Sequence, residues 1–298
     1  MRVLIIGCGY IGMTLGAELA RQGHEVFGLR RSSESAAALQ AVGIHPLHGD
    51  ITHPDSLATL PTPFDWVVNC VASSHGGAED YRRVYYEGTE RLLAWLAKSP
   101  PRKYVYTSST SVYFQDDGSQ VKETSPTTPE PDTSRILVET EQLLLRQTPP
   151  PFPIVILRLA GIYGPERNHY LQRFLGREIQ IEGLGMRFLN MIHRDDVVGC
   201  LQMALQSGHA GEIYNVVDDE PVHQVHFFRW LSETLGMAMP PFVADDATAR
   251  RKRGLTNKRV SNRKLKMELG YQFKYPTFRQ GYTAEIQRLE QAGQLDLT

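Results

Sequence analysis

Cysteine is scarce in this chain: Cys8, Cys70 and Cys200 are the only three in 298 residues. None stands at metal-ligand spacing from another, so no disulfide framework and no metal site are expected, and a reducing cytoplasm is the expected setting. Long apolar runs are also missing. No stretch approaches the roughly 18 apolar residues of a membrane span, and the first residues read as a strand rather than a charged and then apolar leader. Secretion and membrane insertion are therefore not expected. Neither sign of charge dominates: 32 Lys and Arg against 33 Asp and Glu leave a net charge of −1, with no general drive toward nucleic acid or anionic membrane.

A hydrophobic share of 41% with 22% charged residues is an ordinary globular balance. Val3 to Ile6 is a short β-rich run ending in glycines, and Ile11, Leu15 and Leu19 then recur at helical spacing as far as Gly23. The same alternation continues. Strands are expected at Glu25–Leu29, Ile44–Leu47, Trp66–Val71, Tyr104–Tyr106 and Ile154–Leu157, and helices at 32–42, 79–97 and 134–146. Parallel neighbours need long crossovers, and helices fill them, so six strands predict an α/β, doubly wound parallel sheet covered on both faces. Pro149-Pro150-Pro151 and Pro153 read as a stiff connector before the last of these strands. Residues 1–165 form the expected main domain, with 190–217 returning to it through a helix at 196–206 and a strand at 213–216. Residues 166–189 and 218–298 make the expected smaller C-terminal lobe.

Gly7, Gly9 and Gly12 spell G-x-G-x-x-G between the first strand and the first helix, the context in which that motif means dinucleotide binding. The first glycine permits a tight turn, the second admits the pyrophosphate, and the third brings helix and strand together. The phosphates then meet the free N–H groups at the helix start, around Tyr10 and Ile11. The second strand selects the cofactor. An NAD enzyme usually ends it with Asp or Glu to bind the ribose hydroxyls, but this chain has Arg30, Arg31 and Ser32. Guanidinium and hydroxyl groups suit a 2′-phosphate, so NADP(H) is expected over NAD(H), unless the arginines are only solvated surface. Asp50 stands near the adenine edge or caps the turn before Pro54.

With these elements in place, the chain resembles the extended short-chain dehydrogenase/reductases, the group of sugar-nucleotide epimerases and dehydratases. The glycine loop, His48-Gly49-Asp50, Thr107 to Tyr113, Arg158 to Pro165, Ile192 to Val197 and Tyr214-Asn215-Val216 carry the resemblance. It implies a Rossmann-type cofactor domain and a smaller substrate lobe. It extends the cofactor set to Ile51, Val71, Ala72, Ser73 and Arg135, and proposes Tyr81, Tyr163 and Asn168 for the substrate. Ser109 takes the position of the family serine or threonine that orients the reacting oxygen, unless it is a strand-end serine tied to backbone.

The departures bear on mechanism. The family's Tyr-x-x-x-Lys is replaced, with Pro131 at the tyrosine position and Arg135 at the lysine position, and no tyrosine in the chain has a lysine four residues on. Tyr85 replaces a family asparagine. If hydride transfer occurs, the candidates for the proton are His75, Tyr81, Tyr85 and Tyr113: His75 because an imidazole suits neutral acid–base work, unless it is only a solvated loop residue, and Tyr113 with a structural role in the family. His193 is expected to support its loop and Asp196 to cap the following helix. Arg250 to Arg253, Lys258, Arg259, Arg263, Lys264 and Lys266 form a basic run, read as solvated surface or, from the resemblance, as lying near a substrate phosphate. The expected function is an NADP(H)-dependent oxidoreductase or epimerase/dehydratase-like enzyme acting on a carbonyl or hydroxyl of a small polar, sugar-like substrate; the alternative is a non-catalytic NADP(H) sensor. A small-molecule substrate is the expected partner, with no nucleic acid and no membrane, and a homodimer is left open.

Overall fold

Strands buried on both faces must be apolar throughout, and alternate residues of the first strand face opposite cores. In the computed structural model, which describes residues 1–148, 152–244 and 256–295, β1 (Arg2–Ile6) sends Val3 and Ile5 into one apolar cluster and Leu4 and Ile6 into another. It pairs in parallel with β2 (Glu25–Arg30) and β4 (Trp66–Asn69). β3 (Ile44–His48) lies outside β2, while β5 (Lys103–Ser109), β6 (Ile154–Leu159) and β7 (Ile213–Val216) extend the other side. All seven are parallel, in the order β7-β6-β5-β4-β1-β2-β3. The chain is thus an α/β protein with a doubly wound sheet. Its order reverses between β1 and β4, where such sheets open a crevice at the carboxyl ends of their strands.

Helices cover both faces. On one side α1 (Tyr10–Arg21) packs Ile11, Leu15 and Leu19 in one cluster with Leu39 of α2 (Ala36–Ala41) and Val197, Leu201 and Leu205 of α5 (Arg194–Ser207). On the other, Leu92, Trp95 and Leu96 of α3 (77–96) meet Leu144 of α4 (Asp132–Arg146). A third cluster lies in the C-terminal region, where Phe227 and Phe228 of α6 (Gln224–Leu235) pack on Phe278, Tyr282 and Ile286 of α7 (Phe278–Gln291).

Four details differ from the sequence expectations. The sheet gains β7 as a seventh member, because Ile213 to Val216 pair with Ile156 to Leu159. β5 outruns its apolar core to Ser109, since Thr107 to Ser109 still find partners on β6. α3 is not one α-helix. It runs from Gly77–Tyr81 through a π-helical stretch, Arg82–Glu87, into Gly88–Leu96, and such stretches concentrate at functional sites. Asp196 does not cap α5: His193 Nδ1 accepts from Asp195 N, while buried Asp196 accepts from Tyr271 Oη, Lys274 N and Tyr275 N. Pro149 to Pro151 and Arg250 to Arg253 lie outside the described residues.

Candidate functional site

The crevice at the switch point is a cleft of about 860 Å³, and the sequence around β1 explains its floor. Gly7 takes φ +75°, which glycine alone adopts freely, and a Cβ there would fall 2.7 Å from the Val71 backbone. Gly12 lies against Ile5, where a Cβ would come within 2.9 Å of its side chain. Gly9 differs. Its missing Cβ would face open space, with nothing closer than 3.9 Å. No side chain caps α1 and no acidic residue occupies its first turn, so its backbone donors near Tyr10 and Ile11 face the cleft uncompeted. This is a cradle fit for a pyrophosphate.

Leu29, Arg30, Arg31 and Ser32 form the wall beyond the glycines. Arg31 Nη2 donates to Ser74 Oγ at 2.9 Å, and Ser32 Oγ accepts from Glu34 N at 3.2 Å. No carboxylate ends β2. Asp50 lines the cleft and also holds its own turn, accepting at 2.8 Å from both Thr52 N and Thr52 Oγ1. Burial works against its charge, but those two hydrogen bonds and the charges of Arg31 and His53 prevail and lower its pKa. Ile51, Val71, Ala72 and Ser73 complete this end. Ser73 Oγ donates to Asp80 and its N–H donates to Tyr85 Oη at 3.1 Å. Hydrogen bonds from Ser73 and Arg83 carry the Asp80 pKa down to about 2.

At the opposite end, Ser108, Ser109 and Ser111 come from the end of β5, Leu137 from α4, Leu159 to Ile162 from the end of β6, and Tyr81 and Tyr85 from α3. Ser109 Oγ accepts from Ser111 N at 3.1 Å, which leaves its hydroxyl proton to donate elsewhere. The Tyr81 and Tyr85 rings lie 4.8 Å apart, one helical turn separating them. Behind this wall runs a buried polar network. Arg158 Nη2 donates to Glu141 Oε2 at 2.6 Å, Ser108 Oγ to Glu141 Oε1 at 2.6 Å, and Arg158 Nη1 to Tyr113 Oη at 2.7 Å.

Several expected site residues lie elsewhere. Tyr113 is fully buried, its hydroxyl donating to Asn215 Oδ1 at 2.9 Å; burial raises its pKa although Arg158 pulls the other way. That is a structural position. Tyr163 is stacked on Tyr282 at 4.3 Å, with burial raising its pKa, and Asn168 spans Gly164 N and Glu285 Oε2; neither touches the cleft. The His75 side chain is 75% exposed beside Asp80 and is not part of the wall. Arg135 pairs with Asp132 on a separate face with Glu79, Arg82 and Glu139. The reason is helical phase. On α4 the cleft is met by Leu137, so an i,i+4 pair aimed there would occupy 133 and 137, held by Thr133 and Leu137, and not 131 and 135.

The described members of the basic run, Lys258, Arg259, Arg263, Lys264 and Lys266, lie outside the cleft. Lys258 Nζ donates to Tyr113 O at 2.9 Å, Arg259 Nε to Gly118 O at 3.0 Å, Lys264 Nζ to Ile213 O at 3.0 Å and Lys266 Nζ to Asp219. Arg263 Nε approaches Met267 Sδ. Sequence reasoning missed Arg167, which lines the cleft next to Tyr10, because no local motif marks it. It also missed Glu141 as the partner of Arg158; the signal available was an acid on the buried face of a helix.

Comparison with known proteins agrees with this geometry. Residues 3–217 match the NAD dependent epimerase/dehydratase family. Protein YeeZ of Escherichia coli (strain K12) is 30% identical over 283 residues, covering 92% of this chain and 96% of its own. A 4-hydroxy-2-methyl-3-oxo-4-farnesyl-3,4-dihydroquinoline-1-oxide ketoreductase of Stigmatella aurantiaca is 29% identical over 266 residues, 84% of this chain and 79% of that one. The structure of a functionally unknown conserved protein from Silicibacter pomeroyi, 30% identical, superposes with a TM-score of 0.80 over 96% of this chain and 98% of its own.

Proposed function

From the premise that the chain belongs to the NAD dependent epimerase/dehydratase family, we propose that it is an NADP(H)-dependent oxidoreductase acting on a carbonyl or hydroxyl group of a small polar substrate, sugar derivatives included. One observation carries the reading: a single cleft joins the glycine cradle, the Arg30-Arg31-Ser32 wall and the hydroxyls of Ser109 and Tyr81. When bound, NADP(H) supplies or accepts the hydride. The chain's part is binding, orientation and proton transfer. The backbone N–H groups opening α1 hold the pyrophosphate, and Arg30 and Arg31 hold the 2′-phosphate that a carboxylate would repel.

Ser109 Oγ donates to the reacting oxygen. Of the three phenols on the wall, Tyr10 donates to Pro165 O and Tyr85 accepts from Ser73 N, whereas Tyr81 Oη has no hydrogen-bond partner among the described residues. Tyr81 is therefore assigned the proton transfer that the family gives to another tyrosine. A ketoreductase among the relatives supports the carbonyl-reducing direction. Leu137 on the cleft wall favours a second reading, a cofactor-binding sensor without catalysis, because among the described residues α4 brings no ionisable pair to the cleft.

A screen of carbonyl compounds and alcohols, followed by the reduced-nicotinamide absorbance, separates the two. The enzyme reading expects substrate-dependent NADPH oxidation, with kcat lowered far more than cofactor affinity by Ser109→Ala and by Tyr81→Phe. Tight NADPH binding with silence across the screen would contradict it and leave the sensor.

A further inference from the structure

Residues 164–167 make a turn that ends with Arg167 on the cleft wall. Gly164 has φ +142° and Glu166 has φ +65°, a left-handed conformation that a non-glycine residue holds only where its surroundings over-determine it. The surroundings are these. Tyr10 Oη donates to Pro165 O at 2.9 Å, Arg167 N donates to Gly164 O at 3.0 Å, and Gly164 N donates to Asn168 Oδ1 at 3.3 Å. Asn168 is itself 2% exposed, and its Nδ2 donates to Glu285 Oε2 of α7 at 2.8 Å. Glu285 is buried and also meets His193 Nε2 at 3.5 Å and Arg288 Nε at 3.1 Å. The turn is pinned from both sides.

The product of that pinning is the position of Arg167. Its guanidinium sits over the Tyr10 ring, 5.5 Å from the centroid, on the wall of the cleft at the start of α1. Arg194 flanks the same ring at 5.4 Å but is paired with Asp195 at 3.2 Å. Arg167 has no carboxylate partner among the described residues. A cation held without a counter-ion beside uncapped helix donors is arranged for an anion to arrive between them.

We propose that Arg167 clamps the cofactor's pyrophosphate from the side opposite the glycine cradle, and that Glu285 is the positioning residue through which α7 sets the clamp. The proposal rests on the dinucleotide reading of the cleft and adds a side-chain cation, and a link to the C-terminal region, that a glycine loop alone does not contain. It also predicts which ligands feel the residue. NADPH carries the pyrophosphate; adenosine 2′-monophosphate carries the 2′-phosphate without it.

Calorimetric titration of the full chain with both ligands is the test. Arg167→Ala should weaken NADPH about tenfold or more, as losing a charge-assisted phosphate contact does, and leave adenosine 2′-monophosphate unchanged, with Arg167→Lys recovering part of the loss. Glu285→Gln should weaken NADPH several-fold and spare adenosine 2′-monophosphate, and Asn168→Ala serves as the second variant if the first does not fold. Wild-type NADPH affinity in Arg167→Ala, or an equal loss for both ligands, would overturn the clamp. Wild-type affinity in a folded Glu285→Gln or Asn168→Ala would overturn the positioning role. If the wild type binds neither NADPH nor NADH, the dinucleotide reading itself falls and the clamp with it.

Discussion

At the dinucleotide end of the cleft, four short runs of sequence make the wall, Gly7 and Gly9 to Ile11, Leu29 to Ser32, Gly49 to Thr52 and Cys70 to Ser73, and the side chains behind the first two are apolar. At the opposite end the wall is assembled from β5, α3, α4 and the segment after β6, and ionised groups stand behind it: Arg158 and Glu141 as a buried pair, and Lys258 with no carboxylate partner among the described residues. The first end follows from local backbone chemistry. The second depends on long-range contacts, so it is the end at which stability and pH should be felt most.

Breaking the buried pair gives the largest effect. Removing one partner strands the other charge, at a cost of about 3–5 kcal/mol, so Arg158→Ala should lower the urea midpoint sharply. A loss under about 1 kcal/mol, the value of an exposed pair, would erase the contrast between the two ends.

Lys258 gives the next largest effect. Burial lowers its pKa from 10.5 to about 8 while Nζ donates to Tyr113 O and Thr256 Oγ1 at 2.9 Å. Below pH 8 both folded and unfolded chains carry its charge. Between pH 8 and 10.5 the unfolded chain binds more protons, so this group adds stability as pH rises, by roughly 3 kcal/mol over the window. Urea unfolding of wild type and Lys258→Met, compared at pH 7 and above pH 10, should show the wild type gaining on the variant. A pH-independent difference would mean that Lys258 is not held this way.

The dinucleotide end is sharpened by binding instead of stability. Arg30→Ala with Arg31→Ala should cost NADPH about 1.5–3 kcal/mol of binding per lost contact, seen by calorimetry, while thermal melting stays close to wild type because Arg30 is half-buried and Arg31 exposed. An NADPH affinity unchanged by both substitutions would make the arginines solvated surface. The smallest effect is expected from rebuilding the family's pair in the phase the helix presents. Thr133→Tyr with Leu137→Lys should not raise turnover, since another group already moves the proton. A clear rise in the steady-state rate would show that the reacting end still lacks its acid.

Legibility in the sequence follows the same division. The strands, the glycine loop and the β2 terminus could be read because each depends on a few adjacent residues: positive φ at Gly7, close packing at Gly12, and charge at Arg30 and Arg31. The reacting end resisted. Tyr163 and Asn168 sit in a segment that resembles a site-lining one, yet Tyr282 and Glu285 from α7 draw them inward. Arg135 was misplaced because spacing counted from a motif fixes no helical phase, which only the buried face around Ile136, Leu137 and Glu141 reveals. Arg167 and the π-helical stretch of α3 leave no signature in a short window.

Calorimetric titration of the wild-type chain with NADPH and with NADH decides whether the proposed 2′-phosphate contacts exist. Both cofactors should bind at one site, NADPH at least about tenfold tighter, as charge-assisted contacts to the 2′-phosphate require; equal affinities, or a preference for NADH, would contradict the assignment.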